Sequence, residues 1–464
     1  MKEQAQRTWT RRDVLKAGAA GAATVATRRA FSAPTRRKPN VLLVITDQQG
    51  LDTLSALGCT DAHTPHMDSL CRRGVAFRES YSANPLCSPA RSSMFTGRPT
   101  LETGVVYNNR PIRSTVPNMG QWLREQGGYE TVYAGKWHLP QSFTPAIPGF
   151  DVIATGIGGQ GGVCDAGVSR ACQGYLRTRS ASSSKPFLLV ASFLQPHDIC
   201  QFVSMHAKSG EMVFHDMVKD QLPPMPPNHG FDPREPHAMS RKPRPKWTEA
   251  QWRYYLWNYY RMVEMVDAEV GRVLQALEDS GEADNTLVVF TADHGEGRGR
   301  HHLVTKNYLY DEAAKVPLVV AAPGAARDRQ DATHLVSGLD VLPTVCDYAG
   351  VAPPTHMHGF SLRPLLEGKG TWSREYAPAE VTITGRMVRT PRYKYIAYKR
   401  DPVEQLFDMR KDPGETRNLA PDGSYASTLA EHRKLLAEWE AGLDVAPVPL
   451  PKWAQPRKPR TKKQ

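Results

Sequence analysis

Five short apolar runs constrain this chain more than anything else in it: NVLLVITD at 40–47, TVYAGK at 131–136, FLLVASFLQPH at 187–197, LVVFTADHG at 287–295 and VPLVVAAPG at 316–324. Each is continuous rather than alternating, the pattern of a strand buried on both faces. Helical segments lie between them. The clearest covers 249–279, where Trp252, Tyr255, Tyr259, Val263, Val266, Val270, Val273 and Leu277 recur with a 3.6-residue period. Thr248 and Gln251 make a capping box at its start, and Gly281 closes it. Strands alternating with helices predict an α/β fold with a large, mostly parallel central sheet flanked by helices. Sites in such folds lie beyond the carboxyl ends of strands. Here those ends carry Asp47, Lys136, His197 and the pair Asp293-His294. A core has no use for that much converging charge.

The rest of the chain divides around this frame. Residues 38–370 read as the catalytic domain, with a long Pro-, His- and Met-rich loop at 196–246. Residues 371–450 read as a smaller C-terminal α+β subdomain, with MVRTPRYKYIAY strand-like and TLAEHRKLLAEWEAGL helical. The net charge of +12 belongs to the ends: residues 1–38 carry +8 and residues 452–464 carry +6, which leaves −2 for the body. With no stripe of interleaved basic and aromatic residues, nucleic acid is excluded as a partner. Arg11 and Arg12, followed by a mild Ala/Gly run, read as a twin-arginine export signal over 1–33, and 451–464 as a basic tail. That run is too short to span a bilayer, and no membrane span is expected in the mature protein. The seven cysteines are Cys59, Cys71, Cys87, Cys164, Cys172, Cys200 and Cys346. Export permits disulfides, but an odd count asks which thiol is special.

Cys87 answers. It opens CSPAR, a Cys-x-Pro-x-Arg motif followed by SSMFTGR, and this resembles the signature of the type I sulfatases of the alkaline phosphatase-like superfamily. The resemblance extends through PNVLLVITDQQ, HTPHMDSLCRRGVAFRESY, GKWHL, TADHGE, YDEAAKVPLVV and QLFDMRKDPGETRNLA, over most of 39–420. In that family a separate maturation enzyme oxidises the cysteine to Cα-formylglycine. Hydrated, the aldehyde has two geminal hydroxyls: one attacks sulfur to give a covalent sulfo-enzyme, and loss of a proton from the other expels sulfate. Serine could form the ester but lacks the second hydroxyl.

Asp47 and Asp293, at strand ends, offer hard oxygen ligands to one divalent cation, with Gln48, His294 and position 87 completing the set by position. Calcium is the expected ion, magnesium the alternative. Many family members have a second aspartate where this chain has Gln48, so the site carries less negative charge. Arg91 lies one helical turn past Cys87, within reach of the aldehyde hydrate. The resemblance makes Lys136 a sulfate-oxygen contact and His138 a hydrogen-bond partner of the hydrated aldehyde. It places His197 and Lys306 at the leaving oxygen, one of them as proton donor. His301 and His302 are nearby candidates for lining the pocket.

The expected function is hydrolysis of a sulfuric ester on a sulfated carbohydrate or aryl sulfate. The alternatives are a phosphonate monoester or phosphodiester hydrolase using the same site, and a binder of sulfated glycan whose Cys87 is never oxidised. Oxidation in the cytoplasm followed by twin-arginine export would leave the enzyme periplasmic or extracellular in a bacterium.

Overall fold

The computed structural model describes residues 37–448, apart from 157–159, 180–184, 207–211, 215 and 231–233. The export signal and basic tail read from the sequence lie outside these residues. Ten strands precede the C-terminal region: β1 (Asn40–Asp47), β2 (Val75–Phe77), β3 (Ser80–Tyr81), β4 (Glu130–Gly135), β5 (Asp151–Ala154), β6 (Phe187–Pro196), β7 (Thr286–Ala292), β8 (Leu318–Ala321), β9 (Arg329–Asp331) and β10 (Val336–Ser337). Eight of them form one sheet in the order β5-β4-β6-β1-β7-β8-β2-β9, while β3 pairs with β10. From β5 to β7 every neighbouring pair is parallel. β8 runs against both of its neighbours, and β9 is parallel to β2. The helices that bear on the site are α1 (Cys87–Thr96), α2 (Gly161–Thr178), α3 (Ile199–His206), α4 (Glu249–Asp279) and α5 (Ala426–Ala441).

The continuous apolar runs have a simple cause. In β1, Val41, Leu43 and Ile45 face a core shared with Phe95 of α1, whereas Leu42 and Val44 face a second core shared with Val168 of α2 and Val270 of α4. β7 divides likewise, with Leu287 and Val289 on one side and Val288 and Phe290 on the other. Each such side chain contributes roughly 1.5–3 kcal/mol on burial, so both faces have to be apolar. α4 is as long as its period predicts, and Thr248 caps it reciprocally with Gln251.

Two expectations are refined. The stretch 196–246 is not all loop: it opens with α3 and contains single 3-10 turns at Asp216–Gln221 and Met239–Arg241. The strand-like MVRTPRYKYIAY is two strands, β12 (Gly385–Arg389) and β13 (Tyr393–Tyr398), because Pro391 has no N–H to give a ladder and the chain reverses there. With β11 (Ala377–Val381) and β14 (Gln405–Asp408) they form an antiparallel sheet in sequence order, and α5 packs on it through Leu429, Leu436 and Trp439. All seven cysteines are free thiols. Among the described residues, no helix is long and apolar enough to cross a membrane.

Candidate active site

Four neighbouring strands, β4, β6, β1 and β7, end at the same edge of the sheet. Their registers set Gly135 opposite Ser192, Asp47 opposite Pro196 and Thr46 opposite Ala292. Lys136, His197, Asp47 and Asp293-His294 therefore emerge side by side. Gly135 is required for this. It takes φ +100°, and a Cβ there would lie 1.9 Å from the Ser192 carbonyl oxygen, so only glycine lets the chain turn Lys136 into the site.

Cys87 enters from the other direction, as the first residue of α1. Pro89 is tolerated because first-turn N–H groups have no helical partner, and Gly97 ends the helix at φ 67°. The whole helix is buried. Its dipole suits an anion, although the Ser88 N–H already donates to Asn108 Oδ1 at 3.0 Å and Pro89 has no N–H to offer. Cys87 Sγ lies 3.1 Å from His294 Nε2 and 3.7 Å from Asp47 Oδ1. Burial and Asp47 act to raise the thiol's pKa, but Lys136, Lys306 and His294 outweigh them and hold it well below the ordinary thiol range.

Ligand-type atoms of Asp47, Cys87, Asp293 and His294 all lie within 4.8 Å of one another. This donor set fits a divalent cation. His294 Nδ1 pairs with the Gly295 carbonyl at 2.9 Å, which directs Nε2 inward as a ligand nitrogen. The carboxylates are charge-strained as they stand: burial and the charge of Asp47 push Asp293 up to about 6, while Asp47, beside Lys136, is held low.

Arg91 ties the two carboxylates together. Its guanidinium bonds Asp293 Oδ2 (2.9 Å), Asp47 Oδ2 (3.1 Å), the Lys136 carbonyl and Ser192 Oγ (both 2.8 Å). It clamps one oxygen of each carboxylate, because a fully buried cation needs those charges. Both ends of the Gln48 amide are engaged. Its Oε1 accepts from Lys306 Nζ, and its Nε2 donates to Glu296 and to Cys200 Sγ at 3.2 Å.

The remaining expected residues surround Cys87. Lys136 Nζ meets Asp47 Oδ2 at 2.6 Å. Burial acts to lower the Lys306 pKa, but Cys87, Cys200, Asp47 and Glu296 raise it, so the ammonium stays charged. His138 is held by its backbone, with φ 66° and its carbonyl accepting the Ser88 hydroxyl at 2.6 Å. Its Nε2 lies 2.9 Å from Asn109 Oδ1. Burial chiefly lowers the pKa of both His138 and His197, although Cys87 pulls each up, so near neutrality both are uncharged.

His301 and His302 are not brought to Cys87. His302 Nε2 is 3.3 Å from the Pro245 carbonyl. His301 Nδ1 pairs with Glu312 at 2.8 Å, and its ring stacks on Tyr310 with centroids 4.2 Å apart. Burial acts to lower the His301 pKa, but Glu312 and Glu415 raise it to about 9. Because the folded value exceeds the unfolded value of about 6.5, this stability is fully present below pH 6.5 and is lost as pH rises through 9. We expect urea unfolding at pH 6.5 and pH 10 to differ by about 3 kcal/mol more in the wild type than in His301→Gln. Equal pH dependence in the two proteins would disprove the assignment.

Sequence reasoning missed Glu296, Asn109, Ser88 and Cys200. Glu296 had a visible signal, a carboxylate two residues past His294 inside TADHGE. Asn109 had none.

The chain is similar to known proteins in sequence and in fold. The Sulfatase family profile matches residues 39–351, and the profile "N-sulphoglucosamine sulphohydrolase, C-terminal" matches 299–441. A Delta 4,5-hexuronate-2-O-sulfatase of Bacteroides thetaiotaomicron is 34% identical over 88% of this chain and 90% of its own length. The solved structure of a 2-O GAG sulfatase superposes with a TM-score of 0.78 at 32% identity, covering 87% of this chain and 92% of that one. A phosphonate monoester hydrolase of Agrobacterium radiobacter shares the fold, with a TM-score of 0.74 at 24% identity over 87% of this chain and 96% of its own.

Proposed function

The chain belongs to the sulfatase family, and we propose that it releases inorganic sulfate from a sulfated uronic acid of glycosaminoglycan type, with Cys87 oxidised to formylglycine. The observation that carries this reading is the setting of Cys87: a buried helix N-terminus against Asp47 and His294, flanked by two lysines and two uncharged histidines. One divalent cation, calcium before magnesium, would be held by Asp47, Gln48, Asp293, His294 and position 87. Formylglycine supplies a hydrated aldehyde with two hydroxyls, one to attack sulfur and one to lose a proton afterwards, and the cation polarises a sulfate oxygen.

The side chains account for the rest. Lys136 and Lys306 offset the charge of the sulfate oxygens, which would otherwise repel a nucleophile. With Nε2 engaged by Asn109, His138 keeps Nδ1 to accept a proton from position 87. Lys306 and His197 meet the leaving oxygen: Lys306, held charged, offsets its growing negative charge, and His197 can donate its ring N–H.

The uronic acid rests on the named relatives and on Lys242. Its Nζ donates to the carbonyl of Asn307, next to Lys306, and among the described residues it makes no ion pair. Burial holds its pKa down to about 8. A half-buried amine without a carboxylate partner suits a carboxylate brought by the substrate. This reading also takes the chain through the twin-arginine machinery to the periplasm or beyond, after a maturation enzyme has acted on Cys87.

The test is the mass of tryptic peptide Glu79–Arg91 from protein made with a maturation enzyme, alongside turnover of a sulfated uronate, a sulfated neutral sugar and a phosphonate monoester. The aldehyde or its hydrate at position 87 is expected, with the sulfated uronate turned over best. Faster phosphonate turnover would move the assignment to the phosphorus hydrolases. An intact thiol with sulfated glycan bound but unhydrolysed would leave a binding protein.

A further inference from the structure

Gln48 stands where many sulfatases have a second aspartate, and an amide has two ends of nearly the same shape. Only the oxygen end can serve a cation. Turned over, Gln48 would present its NH2 group instead, so something must decide which way the amide points.

Its neighbours decide. Nε2 donates to Glu296 Oε2, and Oε1 accepts from Lys306 Nζ. A carboxylate only accepts and an ammonium only donates, so one orientation satisfies both partners and the other satisfies neither. Glu296 is itself fully buried, and its Oε1 accepts from the Tyr255 hydroxyl of α4 and from the Thr305 N–H. Gly295 lets the chain double back at that point, since a Cβ there would lie 2.1 Å from the Glu312 carbonyl oxygen. We propose that Glu296 is a positioning residue that holds the Gln48 amide with its oxygen toward the Asp47, Cys87, Asp293 and His294 cluster. The charge missing at position 48 is thereby supplied from the next residue outward. This inference rests on the sulfatase reading of that cluster.

Glu296→Gln tests it because the shape is kept while one acceptor becomes a donor. The Thr305 N–H belongs to the backbone and cannot turn away, so the new amide must keep its oxygen there and aim its NH2 at Gln48. Gln48 then flips to answer it, and its own NH2 meets Lys306 and the cation. Adding Gln48→Glu removes the conflict, since a carboxylate at 48 accepts from both sides.

The experiment is calorimetric titration of calcium alone into full-length, matured, chelator-stripped protein, with urea unfolding in chelator as the check on folding. We expect Glu296→Gln to weaken calcium binding roughly 10–100-fold, and Gln48→Glu in the Glu296→Gln background to recover most of it. Wild-type affinity in Glu296→Gln overturns the proposal while leaving the sulfatase reading intact. So does a double variant that folds in chelator but binds no better than the single one. If Glu296→Gln does not fold, the double variant must recover both fold and affinity, and its failure to do so also overturns the proposal. A wild type that binds no calcium removes the cation site, and this proposal with it.

Discussion

Changing Cys87 to serine leaves a folded protein that stops after one turn. Serine has the single hydroxyl needed to attack sulfur and lacks the second, whose deprotonation would expel the product. Catalytic turnover falls on the order of 10^4-fold or more, the scale seen when a nucleophile is lost. Peptide Glu79–Arg91 of that variant, incubated with a sulfated uronate, gains the mass of one sulfuryl group. Stability changes by about 1 kcal/mol or less, because the replacement is nearly isosteric and lies among polar partners. Repeated turnover by the serine variant would mean that the second hydroxyl is unnecessary, and the formylglycine reading would be lost.

Arg91→Met has its largest effect on the fold. The guanidinium and both carboxylates it joins have no solvent exposure. Its removal leaves Asp47 and Asp293 facing each other with Lys136 as their remaining lysine or arginine partner, on Asp47 alone. Breaking a buried pair in this way costs about 3–5 kcal/mol, since a charge is left in low dielectric without its counterion. Urea unfolding in chelator should report that loss. Saturating calcium should return part of it, because a cation between the carboxylates replaces some of the missing charge. A loss below about 1 kcal/mol would show that the carboxylates do not depend on Arg91.

What could be read from the sequence follows from where the signal is stored. Strand ends are local: a buried run followed by Asp, Lys or His marks its own boundary, so Asp47, Lys136, His197, Asp293 and His294 could be located without a structure. The parallel order that makes them neighbours follows from the alternation of strand and helix. Arg91 and Gln48 were located without the partners that hold them. Spacing puts Arg91 on the same helical face as Cys87, yet its partners Asp47 and Asp293 lie 44 and 202 residues away. The bond from Gln48 to Glu296 spans 248 residues. His301 and His302 were misleading for the same reason: a histidine pair beside a site carries no mark of the carboxylate that claims it, here Glu312. The split of β12 from β13 was legible in Pro391, which the apolar count ignores.

The complete burial of α1 has a consequence in time. Cys87 is 1% exposed and the nine helical residues after it are also covered, so on the proposed formylglycine reading a maturation enzyme would reach this turn only while the chain is open. Oxidation and folding are then competing first-order exits from one state, and folding first is a dead end. The active fraction of any preparation equals the oxidation rate divided by the sum of the two rates. Slowing folding raises the yield of active enzyme without altering kcat per active molecule. Specific activity thus records a race that ended before the enzyme met its first substrate.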